Sequence, residues 1–155
     1  MQNQARILII DDDDNIRKVL QTILEDEGYH VETAETAKEG MDKTEASFFN
    51  LALIDVRLPD MEGIELLTKL RETKPKIRKI IVTGYPTLQN AVSAVNNGAD
   101  GYVLKPFDVE KILVTIKEQL QKQAEEKKYS EEKIAEFIET RVKELDTESL
   151  TSLTP

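Results

Sequence analysis

The chain contains no cysteine among its 155 residues. This absence excludes disulfide bonds and thiolate metal sites, and it weakly favours a reducing compartment. Long hydrophobic runs are also lacking, since no apolar stretch approaches the roughly 20 residues that cross a bilayer. The first residues, MQNQAR, do not form a charged leader followed by an apolar stretch, which an export signal requires. We therefore expect a cytoplasmic protein without a membrane partner.

Positive charge is scarce as well. Lys and Arg number 21 against 30 Asp and Glu, which gives a net charge of −9. Binding to a phosphate backbone depends on clustered Lys and Arg, so the composition argues against a nucleic-acid partner. Anionic lipid would also repel such a surface. A protein partner or a cation is expected instead, and the length allows one ordinary domain with a real core.

Short apolar runs alternate with segments of helical periodicity up to about residue 120. Five such runs predict buried strands at 7–10, 29–34, 51–54, 79–82 and 102–104. Between them, apolar residues recur at helical spacing, and Gly28 and Gly98 stand where helices end. This alternation, without a hairpin signal, predicts an open parallel α/β sheet with right-handed crossovers.

Several polar residues are placed to begin the predicted helices. Asp13 and Asp14 are expected to cap the first helix and to interact favourably with the helix dipole at its start. The segment Thr36–Glu39 predicts a capping box for the second helix, and Asp108 is placed to cap the fifth. The third helix is predicted to carry three apolar residues at helical spacing: Ile64, Leu67 and Leu70.

The last part of the chain differs in composition from the rest. From about Gln119 the sequence becomes rich in Gln, Glu and Lys, and Ser130 is predicted to begin a new helix. This helix has an apolar stripe, for which packing within the chain and binding of a partner both stay open: Ile134, Phe137, Ile138, Val142 and Leu145. The tail 147–155 is expected to be disordered. We therefore divide the chain into a domain at 1–122 and an acidic helical extension with its tail at 123–155.

Four predicted strands end at polar, reactive side chains. The first is followed by Asp11 and Asp12, the third ends at Asp55, the fourth at Thr83 and the fifth at Lys105. All strands of a parallel sheet point the same way, so these groups gather at one edge, where open α/β folds bind ligands. We expect them to form one site.

The residue types suggest the chemistry of that site. Crowded carboxylates raise one another's pKa, and a hard divalent cation such as Mg²⁺ relieves the repulsion. One carboxylate can then act as a nucleophile toward phosphorus and form an aspartyl-phosphate. The phosphoryl oxygens need the cation, an ammonium and a hydroxyl as partners. Asp55, Lys105 and Thr83 fill the roles of nucleophile, ammonium and hydroxyl.

With these residues in place, the sequence resembles the response-regulator receiver domains of two-component signalling. The resemblance covers roughly residues 5–122 and rests on four segments in the proper order and spacing: 7–13 (ILIIDDD), 53–63 (LIDVRLPDMEG), 81–85 (IVTGY) and 98–107 (GADGYVLKPF). It implies a doubly wound, flavodoxin-like sheet of five parallel strands in the order 2-1-3-4-5, with five helices and here an extra C-terminal helix.

The resemblance also assigns roles to residues. It implies a Mg²⁺ site, in which Mn²⁺ can substitute, whose ligands are three carboxylates and one backbone carbonyl: Asp11, Asp12, Asp55 and Arg57. Asp55 is the expected site of phosphorylation, Thr83 and Tyr102 are the expected switch residues, and the Lys105–Pro106 bond is expected to be cis. Phosphorylation should shift a pre-existing balance between two conformations.

Partners follow from the same resemblance. A sensor histidine kinase or a phosphotransfer protein would supply the phosphoryl group, and a downstream protein would bind the face of helix 4, strand 5 and helix 5. The protein would then be a switch that catalyses only its own phosphorylation and dephosphorylation, not an ordinary enzyme. We expect a single-domain regulator with a helical extension; a fragment of a longer chain and a homodimer remain open.

Two other functions compete with this interpretation. A haloacid-dehalogenase-type phosphatase uses two Asp residues at the spacing of Asp11 and Asp13, but that function leaves Asp55 and Lys105 unexplained. A degenerate receiver that acts only as a docking module is disfavoured because every catalytic position is intact. Arg57 and Tyr85 flank the expected path of water to the phosphoryl group, and we hypothesise that they slow its hydrolysis.

Overall fold

The computed structural model describes the backbone of residues 4–153 and the side chains of residues 4–147. Within this range five strands alternate with five helices. The strands are β1 (Arg6–Ile10), β2 (His30–Ala34), β3 (Leu51–Asp55), β4 (Arg78–Thr83) and β5 (Gly101–Leu104). The helices are α1 (Asp14–Asp26), α2 (Ala37–Ala46), α3 (Gly63–Leu66), α4 (Leu88–Asn96) and α5 (Val109–Leu153).

The five strands form one sheet in the order β2-β1-β3-β4-β5, and every pairing is parallel. The predicted doubly wound fold is therefore confirmed. Consecutive residues of a strand point to opposite faces, which explains why the apolar runs are continuous: both faces are covered. In β1, for example, Leu8 and Ile10 pack on one face and Ile7 and Ile9 on the other.

Two hydrophobic clusters fill the space between the sheet and its helices. One contains Ala37 of α2, Leu66 of α3 and Ala94 of α4. The other contains Leu20 of α1 and Ile112 of α5. The sheet is thus held between two layers of helices, and its carboxyl edge remains accessible for a site.

The predicted helix starts are confirmed where a side chain caps the helix. The Asp13 carboxylate accepts hydrogen bonds from Asn15 N and Ile16 N, and Asp108 accepts from Glu110 N and Lys111 N. Thr36 caps α2 as predicted, but the capping box is incomplete, because the Glu39 side chain accepts from Glu35 N instead of Thr36 N. A similar cap at Thr87 begins α4 and was not predicted. The third helix is shorter than predicted, because the chain after Leu66 tightens into turns with i→i+3 hydrogen bonds.

Two compact units make up the chain, Met1–Gln123 and Ala124–Pro155. The C-terminal helical extension is present, but the prediction that a new helix begins at Ser130 is wrong. Instead α5 continues to Leu153, because neither glycine nor proline interrupts residues 107–154. The expected disorder from Thr147 is likewise wrong as far as Leu153, and residues 154–155 lie outside the described range.

In the second unit, the helix carries ion pairs between neighbouring turns, such as Arg141 with Glu144 at 2.9 Å. The side chains of its apolar stripe are exposed: Ile134, Phe137, Ile138, Val142 and Leu145. Across the described residues, no helix combines the length and the apolarity needed to cross a bilayer.

Candidate functional site

The carboxyl ends of β1 and β3 bring three carboxylates together. Ligand atoms of Asp11, Asp12 and Asp55 all lie within 4.8 Å of one another. Asp11 is buried, Asp12 is exposed and Asp55 lies at the end of β3 with its side chain 12% exposed. A group with two largely buried carboxylates and one solvent-facing carboxylate fits a hard cation that keeps part of its water shell.

Lys105 reaches this group from the loop that follows β5. Its Nζ donates a hydrogen bond to Asp11 Oδ2 at 2.9 Å and lies 3.6 Å from Asp55 Oδ2. The Lys105–Pro106 peptide bond is cis. Four of the predicted site residues therefore meet at one edge of the sheet: Asp11, Asp12, Asp55 and Lys105.

Electrostatic repulsion remains inside the group despite Lys105. Burial and the charge of Asp11 raise the pKa of Asp55 to about 6, although Lys105 and the Arg57 backbone N–H oppose this shift. Burial alone would lower the pKa of Lys105, but its hydrogen bond to Asp11 and the charges of Asp11 and Asp55 raise it above its usual value. The site thus has more negative charge than one ammonium balances, which is the condition that favours a divalent cation.

Asp11 is fixed from several sides. Its N–H donates to Ala34 O at 3.0 Å, and its Oδ1 accepts from Asp13 N at 2.9 Å. Its carbonyl accepts from the buried guanidinium of Arg17 at 2.7 Å. Sequence analysis missed Arg17, although a charged residue three positions before Leu20, on the apolar face of α1, was a signal. These contacts leave the Asp11 carboxylate one well-defined orientation.

Thr83 is wholly buried at the end of β4. Its Oγ1 accepts a hydrogen bond from Tyr85 N at 2.9 Å, and its carbonyl accepts from Lys105 N at 2.7 Å. The hydroxyl is therefore engaged with its own loop and makes no hydrogen bond to Asp55 or Lys105. Thr83 is placed next to the site, but the structure does not bring its hydroxyl into contact with the carboxylates.

Tyr102 lies on β5, paired in register with Ile81. Its ring packs against the cluster that contains Ala94. The hydroxyl is buried, and no described atom forms a hydrogen bond with it. The side chain is thus partly buried, with one polar atom unsatisfied, on the strand next to the one that carries Thr83.

Arg57 and the loop after β3 complete the site. The backbone N of Arg57 lies 3.4 Å from Asp55 Oδ1, and its exposed guanidinium stacks on the Tyr85 ring. Gly63 packs so closely behind Asp55 that an added Cβ would lie 2.0 Å from the Asp55 carbonyl oxygen. Sequence analysis placed Gly63 within a motif, but the reason for a glycine there is this close approach.

Asp13 takes no part in the carboxylate group. Both hydrogen bonds to its side chain come from the first turn of α1. A phosphatase that depends on a pair at Asp11 and Asp13 is therefore not favoured, because Asp13 serves as a helix cap.

Comparison with known proteins agrees with this geometry. The model of the response regulator receiver domain family matches residues 7–117. The chain belongs to this family. A relative in Bacillus subtilis strain 168, the uncharacterized transcriptional regulatory protein YkoG, is 37% identical to the receiver over 114 residues, which are 74% of this chain and 50% of that protein.

Solved structures of receivers are also similar. A CheY-like receiver domain protein from Methanospirillum hungatei JF-1 is 52% identical with a TM-score of 0.76, over 80% of this chain and 99% of that one. The beryllofluoride-activated NtrC4 receiver domain dimer is 37% identical with a TM-score of 0.72, over 76% and 98% of the two chains. The chain spans between about a quarter and about half of the length of the curated relatives that it matches first.

Proposed function

We propose that this receiver accepts a phosphoryl group on Asp55 from a histidine kinase, a phosphotransfer protein or a small phosphodonor. The observation that carries the proposal is the meeting of three carboxylates with one ammonium, in which Lys105 Nζ lies 2.9 Å from Asp11 and 3.6 Å from Asp55. The reaction would take place in the cytoplasm, as the sequence leads us to expect. It would modify only the receiver itself.

Residues of the chain have distinct tasks in this reaction. Asp11, Asp12, Asp55 and the carbonyl of Arg57 would hold Mg²⁺ or Mn²⁺, which when bound supplies positive charge for the carboxylates and the phosphoryl oxygens. Lys105 would donate a hydrogen bond to a phosphoryl oxygen, and Thr83 would donate another after its hydroxyl leaves Tyr85 N. These donors stabilise the charge that develops on the transferred group.

The covalent step exchanges one bond to phosphorus for another. A carboxylate oxygen of Asp55 attacks the phosphorus, and a new O–P bond forms as the bond to the donor breaks. With a phosphohistidine donor, the electron pair of the P–N bond stays on the imidazole nitrogen, which takes up a proton. Hydrolysis of the acyl phosphate by water returns the carboxylate and inorganic phosphate.

Phosphorylation would act on a partner through the surface of α4, β5 and α5. Large apolar side chains on this surface are half to four-fifths exposed: Leu88, Val92, Val95 and Leu104. An apolar patch rimmed by polar residues is typical of a protein-binding surface. We propose that movement of Thr83 and Tyr102 changes this surface, by shifting the balance of two pre-existing conformations. The same surface could instead bind a second receiver.

Acetyl phosphate with Mg²⁺ provides a direct test. The receiver should gain one phosphoryl group, which mass spectrometry of peptides locates on Asp55, and omission of the metal should prevent the gain. Asp55→Asn should abolish it. Asp13→Asn is a matched control, because it changes a neighbouring carboxylate that serves α1 and should leave the gain intact.

Other outcomes would contradict the proposal. Labelling of Asp55→Asn as an acyl phosphate would do so, and so would multiple-turnover release of phosphate from a generic ester, which the dehalogenase-type function predicts. Beryllofluoride with Mg²⁺ should shift backbone amide signals of α4 and β5 in NMR spectra. Unchanged spectra would instead support a phosphorylation-independent docking module.

A further inference from the structure

Asp60, in the loop between β3 and α3, contacts the start of α2. Its Oδ1 accepts a hydrogen bond from Ala37 N and its Oδ2 from Lys38 N, both at 2.9 Å. These are the first two residues of α2, whose N–H groups have no partner within the helix. The two hydrogen bonds lower the pKa of Asp60, so the side chain stays a carboxylate, the form that a helix N-terminus favours.

The helix already has a cap from its own sequence. Thr36 Oγ1 accepts from Glu39 N at 3.1 Å, which is the usual task of an N-cap residue. The contact of Asp60 is therefore not needed to begin α2. Its distinctive effect is to join the loop after β3 to the start of α2, since Asp60 and Ala37 are 23 residues apart in the chain.

The loop that carries Asp60 is short and tightly closed on Asp55. Arg57 and Glu62 form an isolated antiparallel bridge, and Gly63 N donates to Val56 O at 2.7 Å. Because the loop closes in this way, a shift at its tip displaces Arg57, whose carbonyl is an expected metal ligand and whose N–H lies 3.4 Å from Asp55 Oδ1.

The other end of the contact leads to Asp11. The strand that precedes α2 ends at Ala34, whose carbonyl accepts from Asp11 N at 3.0 Å. Glu35 accepts from Arg17 at 3.3 Å, and Arg17 in turn donates to Asp11 O. The contacts therefore form a closed ring: from Asp11 through β2 and α2 to Asp60, along the loop to Asp55, and through Lys105 back to Asp11.

We propose that Asp60 is a positioning residue that holds the Arg57 carbonyl and Asp55 at the correct distance from Asp11 and Asp12 for metal binding. The inference rests on the proposed function of Asp55. It concerns the affinity of the unphosphorylated site for Mg²⁺. Metal binding requires Asp11 and Asp12 on one side of the ring and Asp55 and the Arg57 carbonyl on the other to be in place together.

The test compares Asp60→Ala and Asp60→Asn with Thr36→Ala. Asp60→Ala removes the link between the loop after β3 and the start of α2, and Asp60→Asn keeps one acceptor oxygen. Thr36→Ala weakens the same helix start without touching the loop after β3. Mg²⁺ binding to each unphosphorylated protein is measured by calorimetry. Amide exchange at Ala37 and Lys38 reports directly on the contact, and acetyl phosphate gives the Mg²⁺ concentration for half-maximal phosphorylation.

Asp60→Ala should weaken Mg²⁺ binding and raise the half-saturating concentration by roughly tenfold, as other supports of metal ligands do. Asp60→Asn should have a smaller effect in the same direction. At saturating Mg²⁺ the phosphorylation rates should converge with that of the unsubstituted protein. Exchange at Ala37 and Lys38 should accelerate in Asp60→Ala.

Thr36→Ala should lower thermal stability but leave Mg²⁺ binding unchanged. An equal loss of Mg²⁺ affinity in Thr36→Ala would overturn the inference, because it would assign the effect to α2 alone. Unchanged Mg²⁺ affinity in both Asp60 variants, with normal phosphorylation of the unsubstituted protein, would overturn the role of Asp60 and leave the proposed function intact. An unsubstituted protein that neither binds Mg²⁺ nor becomes phosphorylated would overturn both.

Discussion

The guanidinium carbon of Arg57 lies 4.0 Å from the centroid of the Tyr85 ring. Arg57 follows the last residue of β3 by two positions, and Tyr85 follows the last residue of β4 by two. The contact therefore joins the loops that follow Asp55 and Thr83. A cation over an aromatic face at an exposed position contributes about 0.5–1 kcal/mol, which is enough to favour this arrangement of the two loops.

We expect this stacked pair to slow hydrolysis of phosphorylated Asp55 by limiting the approach of water. Arg57→Ala and Tyr85→Ala should each shorten the lifetime of the acyl phosphate several-fold, because each leaves the site more open to water. The decay is followed by phosphate release after removal of the donor. Tyr129→Ala, which removes a similar exposed contact with Lys133 in the second unit, is the matched control. A lifetime that does not change in the first two variants would contradict the hypothesis.

The raised pKa of Asp55 should make the metal-free protein less stable as pH rises. Between the ordinary value of 3.8 and about 6, the folded protein holds a proton that the unfolded carboxyl has released. Stability should therefore fall across this interval, by an amount on the order of 2–3 kcal/mol. Asp55→Asn should be more stable than the unsubstituted protein at pH 7 without Mg²⁺, and the two should converge near pH 4.

Urea unfolding with a chelator at the two pH values measures this difference. Added Mg²⁺ should reverse it at pH 7, because the cation binds the folded carboxylates and stabilises the protein by mass action. If the two proteins differ by the same amount at pH 4 and pH 7, the carboxyl of Asp55 does not titrate in the predicted interval.

Gly63 should not tolerate a side chain. Its added Cβ would lie 2.0 Å from the carbonyl oxygen of Asp55, a contact that only backbone movement relieves. Gly63→Ala should therefore lower both the stability and the rate of phosphorylation. Gly84→Ala is the control, because its Cβ would meet Lys105 Cβ at an ordinary 3.8 Å. Phosphorylation of Gly63→Ala at the unsubstituted rate would mean that the loop relaxes without disturbing Asp55.

Tyr102→Phe should stabilise the unphosphorylated protein or leave its stability unchanged. The hydroxyl of Tyr102 is buried without a hydrogen-bond partner, and such a group costs about 1–3 kcal/mol. The phenylalanine ring keeps the packing and removes that cost. Equilibrium unfolding in urea measures the effect. A clear loss of stability would indicate that the hydroxyl is hydrogen-bonded in solution, and the packing of Tyr102 would then need revision.

The sheet and most of the site were predictable because each depends on a pattern repeated along the chain. Alternating apolar runs indicate buried parallel strands, and residues that end those strands must meet at one edge. Asp11, Asp55 and Lys105 were identified in this way. The start of α2 at Thr36 was equally local, since a cap bonds within one helical turn.

Contacts between distant parts of the chain had no such signal. The sequence around Asp60 indicates a loop, and the neighbouring residues do not indicate that its carboxylate contacts α2. The shift to a composition rich in Gln, Glu and Lys near Gln119 does not show which of these residues are buried. Gln119 and Gln123 are buried and form hydrogen bonds with Arg78 of β4 and with Lys76 in the loop before it. The composition of a segment indicates its average exposure. The burial of a single glutamine depends on hydrogen-bond partners, such as backbone carbonyls, that distant segments supply.

Gln123 provides the last prediction. Its Nε2 donates to Asn50 O at 2.9 Å and to Lys76 O at 2.8 Å, and its Oε1 accepts from Asn50 Nδ2 at 3.0 Å. Gln123→Ala leaves these buried groups without partners and should cost about 1–3 kcal/mol in the free energy of unfolding. Lys122→Ala, an exposed neighbour in the same helix, should cost much less.

The same reasoning applies to a shortened protein. An end at residue 122, the boundary expected from composition, removes Gln123, whereas an end at residue 128 keeps it. The shorter protein should unfold at a lower urea concentration. Its loss in the free energy of unfolding, relative to the longer one, should match the loss caused by Gln123→Ala. Equal stability of the two shortened proteins would mean that water replaces the glutamine without cost, and the described hydrogen bonds would then not stabilise the first unit.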